Sequence, residues 1–189
     1  MAGALTFDTE TTSKWHFKLP WDSDEQPHIV QLAYVLDDED GNIVDEQNLI
    51  VQLPEGVECS PGAAQVHGIT AMRINEEGVP RKEALDTFAR ACSQASVLVA
   101  HNYDFDARVL AAAYNREGRK FQPKCGHYCT MKNATNYLRL PGRYGYKWPK
   151  LSEAYQMLID LNGFEGAHDA LADVKACREV YYEMLRRNL

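Results

Sequence analysis

The feature that most constrains this chain is the segment Ile29-Val-Gln-Leu-Ala-Tyr-Val-Leu36. Its apolar residues lack the three-to-four spacing of a helix, and Ile, Val and Tyr favour extended backbone, so a buried strand is predicted there. Acidic residues follow it, and Asp40-Gly41 marks a hairpin, because glycine accepts the positive φ that tight turns require. A further strand over residues 43–51 returns antiparallel to the first. Leu5-Thr-Phe7 is a short apolar strand ending on Asp8, and the three strands together form an antiparallel meander.

Beyond the meander the periodicity changes. Pro80 fits the first turn of a helix reaching about residue 94, with Ala84, Leu85, Phe88, Ala91 and Cys92 at helical spacing. Val97-Leu-Val-Ala100 is a short, fully buried strand. A helix over residues 105–117 follows, stopped by Gly118. Residues 130–138 and 151–161 read as two more helices, and the longest runs from about residue 169 to the C-terminus. This order predicts one α/β domain over residues 1–189, a mixed sheet with helices packed on its faces. Residues 141–149, rich in Gly, Tyr and Lys, are expected to be a mobile loop.

With 189 residues, 45% of them apolar in type, the chain can bury a full-sized core. No apolar run approaches the roughly 20 residues of a membrane span. The first strand starts almost at once and leaves no room for a targeting signal, so a cytoplasmic protein without membrane partners is expected. Five cysteines at irregular spacing are not a disulfide framework. Cys125-Gly-His127-Tyr-Cys129 lacks the second ligand pair that structural zinc needs.

The net charge of −7 excludes a protein that holds nucleic acid mainly by a broad basic face. Its distribution says more. Residues 1–58 carry 13 acids against 2 bases, whereas residues 116–150 carry 9 bases and a single acid, Glu117. That basic stretch is either a solvated surface or a local site for an anionic partner.

Three constellations carry chemistry. Asp8 and Glu10 stand two apart on a strand, so both point to one face, and paired carboxylates repel unless a cation neutralises them. That is a pattern for Mg²⁺ or Mn²⁺, which prefer oxygen ligands; a solvated acidic turn is the alternative. His101-Asn102-Tyr103-Asp104-Phe105-Asp106 follows the strand 97–100, where open α/β sheets place functional groups. Asp104 and Asp106 are both candidates, and either could instead be a helix-capping acid. His168 precedes the last helix and Asp173 lies a turn inside it, with Asp169 the more natural cap. A neutral imidazole in such a place suits a general base.

In order and spacing, Phe7-Asp8-Thr9-Glu10-Thr11-Thr12, then His101-Asn102 with Phe105-Asp106, then His168 with Asp173, resemble the three motifs of the DnaQ-like (DEDDh) exonuclease family. Val66-His67-Gly68-Ile69-Thr70 resembles a segment common in its DNA-acting branch. The resemblance implies an RNase H-like fold with a mixed five-stranded sheet, the first three strands antiparallel, flanked by helices. It implies a 3′→5′ exonuclease that uses two divalent metal ions, Mg²⁺ or Mn²⁺, held by Asp8, Glu10, Asp106 and Asp173, with His168 as general base. It selects Asp106 over Asp104. It also implies that Thr11, Val66, His67, Ile69, Asn102, Tyr103 and Phe105 contact the terminal nucleotide. DNA is the expected partner, with RNA the alternative, and a polymerase or a replication or repair complex is a further partner that the resemblance admits. The last helix ends the chain, which favours a free-standing enzyme over a tethered subunit.

Two features stand apart from the family pattern. Ser13 stands where the family often has Gly, and the loop over residues 14–27 is long and carries Trp15, Phe17 and Trp21. That loop is a wedge or lid for substrate strands, a partner-binding segment, or a loop packed on itself. Tyr144, Tyr146 and Trp148, inside the basic stretch, either stack on bases or pack the loop against the body.

Overall fold

The computed structural model describes residues 2–189. Its sheet is built from β1 (Ala2–Thr11), β2 (Ile29–Asp38) and β3 (Ile43–Ile50), the antiparallel meander that the sequence predicts. The turn joining β2 to β3 has Gly41 at φ +81°, and the Asp38 carboxylate accepts from the Asp40 and Asn42 backbone N–H groups. Three helices follow: α1 (Pro61–His67), α2 (Ala71–Glu77) and α3 (Arg81–Cys92). The sequence reading assigns only α3. The other two are seven residues each, too short to show a period, and their ends are set by the hydroxyls of Ser60 and Thr70, which accept from backbone N–H groups three residues on.

β4 (Val97–Ala100) then enters beside β1 in parallel, α4 (Tyr103–Arg116) crosses back, and β5 (Gly126–Cys129) pairs parallel with β4. The order β3-β2-β1-β4-β5 is that of an RNase H-like exonuclease fold. β5 has four residues at the sheet edge, where one half-buried tyrosine and one buried cysteine give no alternation to read. α5 (Thr130–Leu138), α6 (Leu151–Leu158) and α7 (Ala170–Arg186) complete the fold. Residues 141–149, expected to be a mobile loop, contain a small hairpin of β6 (Pro141–Gly142) and β7 (Gly145–Tyr146). Gly145, at φ +123°, permits its tight turn.

The period of two along β2 decides what lies on each face. Leu32, Tyr34 and Leu36 pack with Leu5, Phe7, Leu98 and the apolar stripes of α3 and α4. Ala33 and Val35, pointing the other way, meet Ala170 and Val174 of α7. Small residues on both sides of that contact let α7 lie close to the sheet. A second cluster, with Ala134, Leu138, Ala154, Leu158 and Val180, joins α5 and α6 to the outer side of α7. No helix among the described residues is long and apolar enough to cross a membrane.

Candidate active site

β1 is the strand on which the site is built. Asp8 and Glu10 leave it on the face covered by α7, and Thr9 between them points to the α4 side. The pairing of β4 with β1 reaches only Val99 opposite Thr6, so the two acids lie past the end of β4. The N-terminus of α4 occupies that position. There Asp106, 2% exposed, accepts hydrogen bonds at one oxygen from the Thr9 backbone N–H (3.1 Å) and the Thr9 hydroxyl (2.7 Å). Asp104 turns away and pairs with Lys132 at 2.6 Å. The side chain of Asn102, which precedes α4 with a left-handed backbone (φ 75°), does not cap the helix.

α7 closes the site from the opposite face. Gln31, fully buried on β2 and opposite Glu10 in the strand register, fixes where that helix begins. Its amide nitrogen donates to Asp169 (3.0 Å) and its amide oxygen accepts from the Ala170 N–H (3.2 Å). Asp169 is the cap, accepting from Leu171 and Ala172, which leaves Asp173 uncommitted one turn further on. The Asp173 carboxylate accepts only long bonds, 3.3 and 3.4 Å, from the His168 backbone N–H. His168 itself is exposed, with a left-handed backbone at φ 72°, a conformation costing on the order of 1 kcal/mol in a non-glycine residue.

The electrostatics of the cluster are one-sided. Among the described residues, no lysine or arginine pairs with Asp8, Glu10, Asp106 or Asp173. Burial, then the neighbouring charges of Asp106, Asp173 and Glu10, push Asp8 well above the usual carboxylate range. Burial and then Asp173 raise Glu10 to about 8. Burial likewise raises Asp106 to about 7, against the opposing Thr9 bonds, and Asp173 to about 6. Four acids from three elements are thus held together, and among the described residues no lysine or arginine neutralises them. One ligand atom each from Glu10, His168 and Asp173 lie within 4.8 Å of one another. Such a group of ligand atoms, mostly carboxylate oxygens, suits a divalent cation.

The residues expected to contact a terminal nucleotide differ in exposure and packing. Thr11 is buried at the end of β1, its hydroxyl donating to the Ser13 carbonyl (2.8 Å). The Ser60 N–H donates to the Thr12 carbonyl (2.8 Å), so α1 is tied to that same strand end. Val66 on α1 is exposed, while Ile69 is buried among Val30, Ile50 and Ile74. His67 Nδ1 accepts from the Ile69 N–H (3.0 Å). Tyr103 is buried and stacked on His127, with ring centroids 4.2 Å apart, and Phe105 is half-buried against the core. Thr9 and Gln31 were not singled out from sequence. Gln31 left a signal, as an amide inside the apolar run of residues 29–36; Thr9 left none beyond its place between two acids.

The loop over residues 14–27 is knitted rather than draped. The Gln26 side chain bonds both backbone groups of His16 and the Pro20 carbonyl, and the Arg116 guanidinium donates to the carbonyls of Gln26 and Pro27. Phe17 and Trp21 remain exposed, with the Arg108 guanidinium 5.7 Å from the Phe17 ring.

Residues 5–181 match the family model RNase_T, described as Exonuclease. No curated protein matches the sequence. Among solved structures, E. coli Exonuclease I in complex with a dT13 oligonucleotide is similar at a TM-score of 0.75 and 18% identity, over 98% of this chain and 42% of that one. The zinc-bound form of the E. coli enzyme with single-stranded DNA gives 0.74 and 18%, over 97% and 40%. Exonuclease I from Methylocaldum szegediense gives 0.74 and 20%, over 98% and 40%. The chain therefore spans about two fifths of the length of these proteins.

Proposed function

From the premise that this chain belongs to the exonuclease family, we propose that it removes nucleotides from the 3′ end of single-stranded DNA as nucleoside 5′-monophosphates. Residues 1–189 act in this reading as one exonuclease domain. The observation that carries it is the carboxylate cluster, whose raised pKa values mark a site lacking its counter-charge. Asp8, Glu10, Asp106 and Asp173 would hold two divalent cations. When bound, such a pair stabilises the attacking and leaving oxygens of an in-line displacement at phosphorus.

The protein's own groups supply the remainder. His168, exposed beside Asp173, serves as general base toward the attacking water. Thr9 holds Asp106 at a fixed oxygen, and Gln31 sets the position of Asp173 through the start of α7. Thr11, Val66, His67 and Asn102 are assigned to the terminal nucleotide, with the packed side chains of Ile69, Tyr103 and Phe105 supporting them from beneath. DNA is preferred as substrate because similar structures hold DNA oligonucleotides.

A 5′-labelled single strand incubated with Mg²⁺ or Mn²⁺ tests the proposal. A stepwise ladder is expected, abolished by EDTA and by Asp8→Ala. No degradation with either metal would sink it, and faster cleavage of the RNA strand of equal sequence would reassign the substrate.

A further inference from the structure

The basic segment contains a feature that the catalytic cluster does not use. Around the hairpin of β6 and β7, Tyr144 is 90% exposed, Tyr146 52% and Trp148 63%. Tyr144 sits in the tight turn, Tyr146 on β7 and Trp148 just beyond it, so three exposed rings fall within five residues. Exposure of this order leaves much of each ring in contact with water and only part of Tyr146 and Trp148 against the body. Bare aromatic rings in water are costly on a hairpin stabilised by few contacts of its own. Among them stand Arg143, whose guanidinium lies 5.1 Å from the Tyr144 ring, Lys147, paired with Glu153, and the exposed Arg139 and Lys150.

The hairpin is also fixed to the catalytic end of the sheet. The Pro149 carbonyl can only accept, so His101 Nε2 donates to it at 3.0 Å. His101 Nδ1 in turn accepts from the Thr130 hydroxyl at 2.9 Å. His101 directly follows β4 and lies five residues before Asp106, while Thr130 touches Cys177, one turn along α7 from Asp173. Trp148 therefore adjoins a carbonyl tied to the residue that follows β4.

We propose that Tyr144, Tyr146 and Trp148 form a stacking platform for the bases of a single nucleic-acid strand, with Arg139, Arg143 and Lys150 meeting its phosphates. Aromatic faces alternating with cations suit a strand whose bases are unpaired and whose backbone is a polyanion. A duplex keeps its bases stacked on one another and offers no such faces. The proposal rests on the exonuclease reading for its orientation, since the strand on the platform would be the one whose 3′ end reaches Asp8. It adds the residues that sense the substrate's single-stranded character.

The test compares binding with turnover in the full chain. With EDTA present to prevent cleavage, fluorescence anisotropy of a labelled dT12 strand measures binding. The Tyr144→Leu/Trp148→Leu variant is expected to bind at least about tenfold more weakly, and Tyr144→Phe/Trp148→Phe within about twofold of the parent. Hydrolysis of p-nitrophenyl thymidine 5′-monophosphate with Mn²⁺, too small to reach the hairpin, should be equal in all three. Parent-like dT12 binding by the leucine variant overturns the proposal. So does equal loss in the phenylalanine variant, or a parent that binds the strand no better than a duplex of equal length. A parent that binds dT12 through the aromatics but cleaves neither substrate keeps the platform and removes the exonuclease reading.

Discussion

Helix α7 meets carboxylates at two places, five residues apart, and treats them oppositely. At Arg178 the protein supplies its own counter-charge: Asp37, wholly buried on β2, accepts from the guanidinium Nε at 2.9 and 3.0 Å and from the Tyr182 hydroxyl at 2.8 Å. At Asp173 the same helix brings a further acid to Asp8, Glu10 and Asp106 and offers no cation. The first arrangement is complete as folded and pins the helix to the β2–β3 turn, since Arg178 also donates to the Gly41 carbonyl. The second is a deficit of positive charge that the fold maintains against repulsion. The Asp37 carboxylate is neutralised from within the fold; the clustered carboxylates repel one another, the pattern that perturbed functional sites share.

The sharpest way to break this comparison is to change one acid of each kind. Asp8→Asn should lower exonuclease turnover on the order of a thousandfold, the loss of several kcal/mol of transition-state stabilisation. Because it also removes a repelling charge, its metal-free form should unfold at no lower denaturant concentration than the parent. Asp37→Ala should do the reverse. Breaking a buried pair at one partner costs about 3–5 kcal/mol, read from urea unfolding, and activity per folded molecule should largely survive. If both variants lose stability alike, the distinction between the two sites fails.

Metal and pH probe the deficit directly. Glu10, Asp106 and Asp173 have native pKa values of about 8, 7 and 6, raised from ordinary values of 4.5 or 3.8. The native state then holds more protons than the unfolded chain between pH about 4 and 8, so stability in EDTA should fall as pH rises through that window. A saturating divalent cation should reverse the loss, adding about 2.7 kcal/mol at a hundred times its Kd. Thermal melts with and without Mg²⁺ at pH 5 and pH 8 measure both effects. A metal-free protein that gains stability from pH 5 to pH 8 contradicts the assigned repulsion.

The two regions were not equally legible in the sequence. Asp8 and Glu10 announce themselves because a strand's period of two places both on one face. The meander and the long helices were readable because their apolar periods run far enough to register. Asp106 was separable from Asp104 only by family resemblance, since both fall in the first turn of α4; what distinguishes them physically is Thr9, a contact across 97 residues. The pairing of Asp37 with Arg178 spans 141 residues and had no local trace at all. α1, α2 and β5 were missed because segments of four to seven residues carry too few apolar positions to define a period. The hairpin read as a loop because glycine and exposed aromatics signal a turn without saying that its flanks pair.

Thr9 offers a smaller test. Thr9→Val keeps the shape and the backbone N–H but deletes the 2.7 Å hydroxyl bond to Asp106. Loss of such an orienting bond should reduce metal affinity or turnover roughly 10- to 100-fold. An unchanged rate and unchanged metal titration would show that the backbone bond alone suffices to position Asp106.

The smallest expected effect supplies the scale for the others. Further along the same face of the fold, Lys175 of α7 pairs with Glu46 of β3 at 3.0 Å, but the lysine is 49% exposed and its partner 34%. Water and salt screen that pair, so Lys175→Ala should change stability by no more than about 1 kcal/mol, and less at high salt. One helix would then meet carboxylates in three states: solvated and nearly neutral in energy, buried and paired, and gathered but unpaired. A loss from Lys175→Ala comparable to that from Asp37→Ala would mean that pairing across this interface, rather than burial, sets the energy. The contrast between Asp37 and the cluster would then rest on exposure less than it does on the presence of a cation.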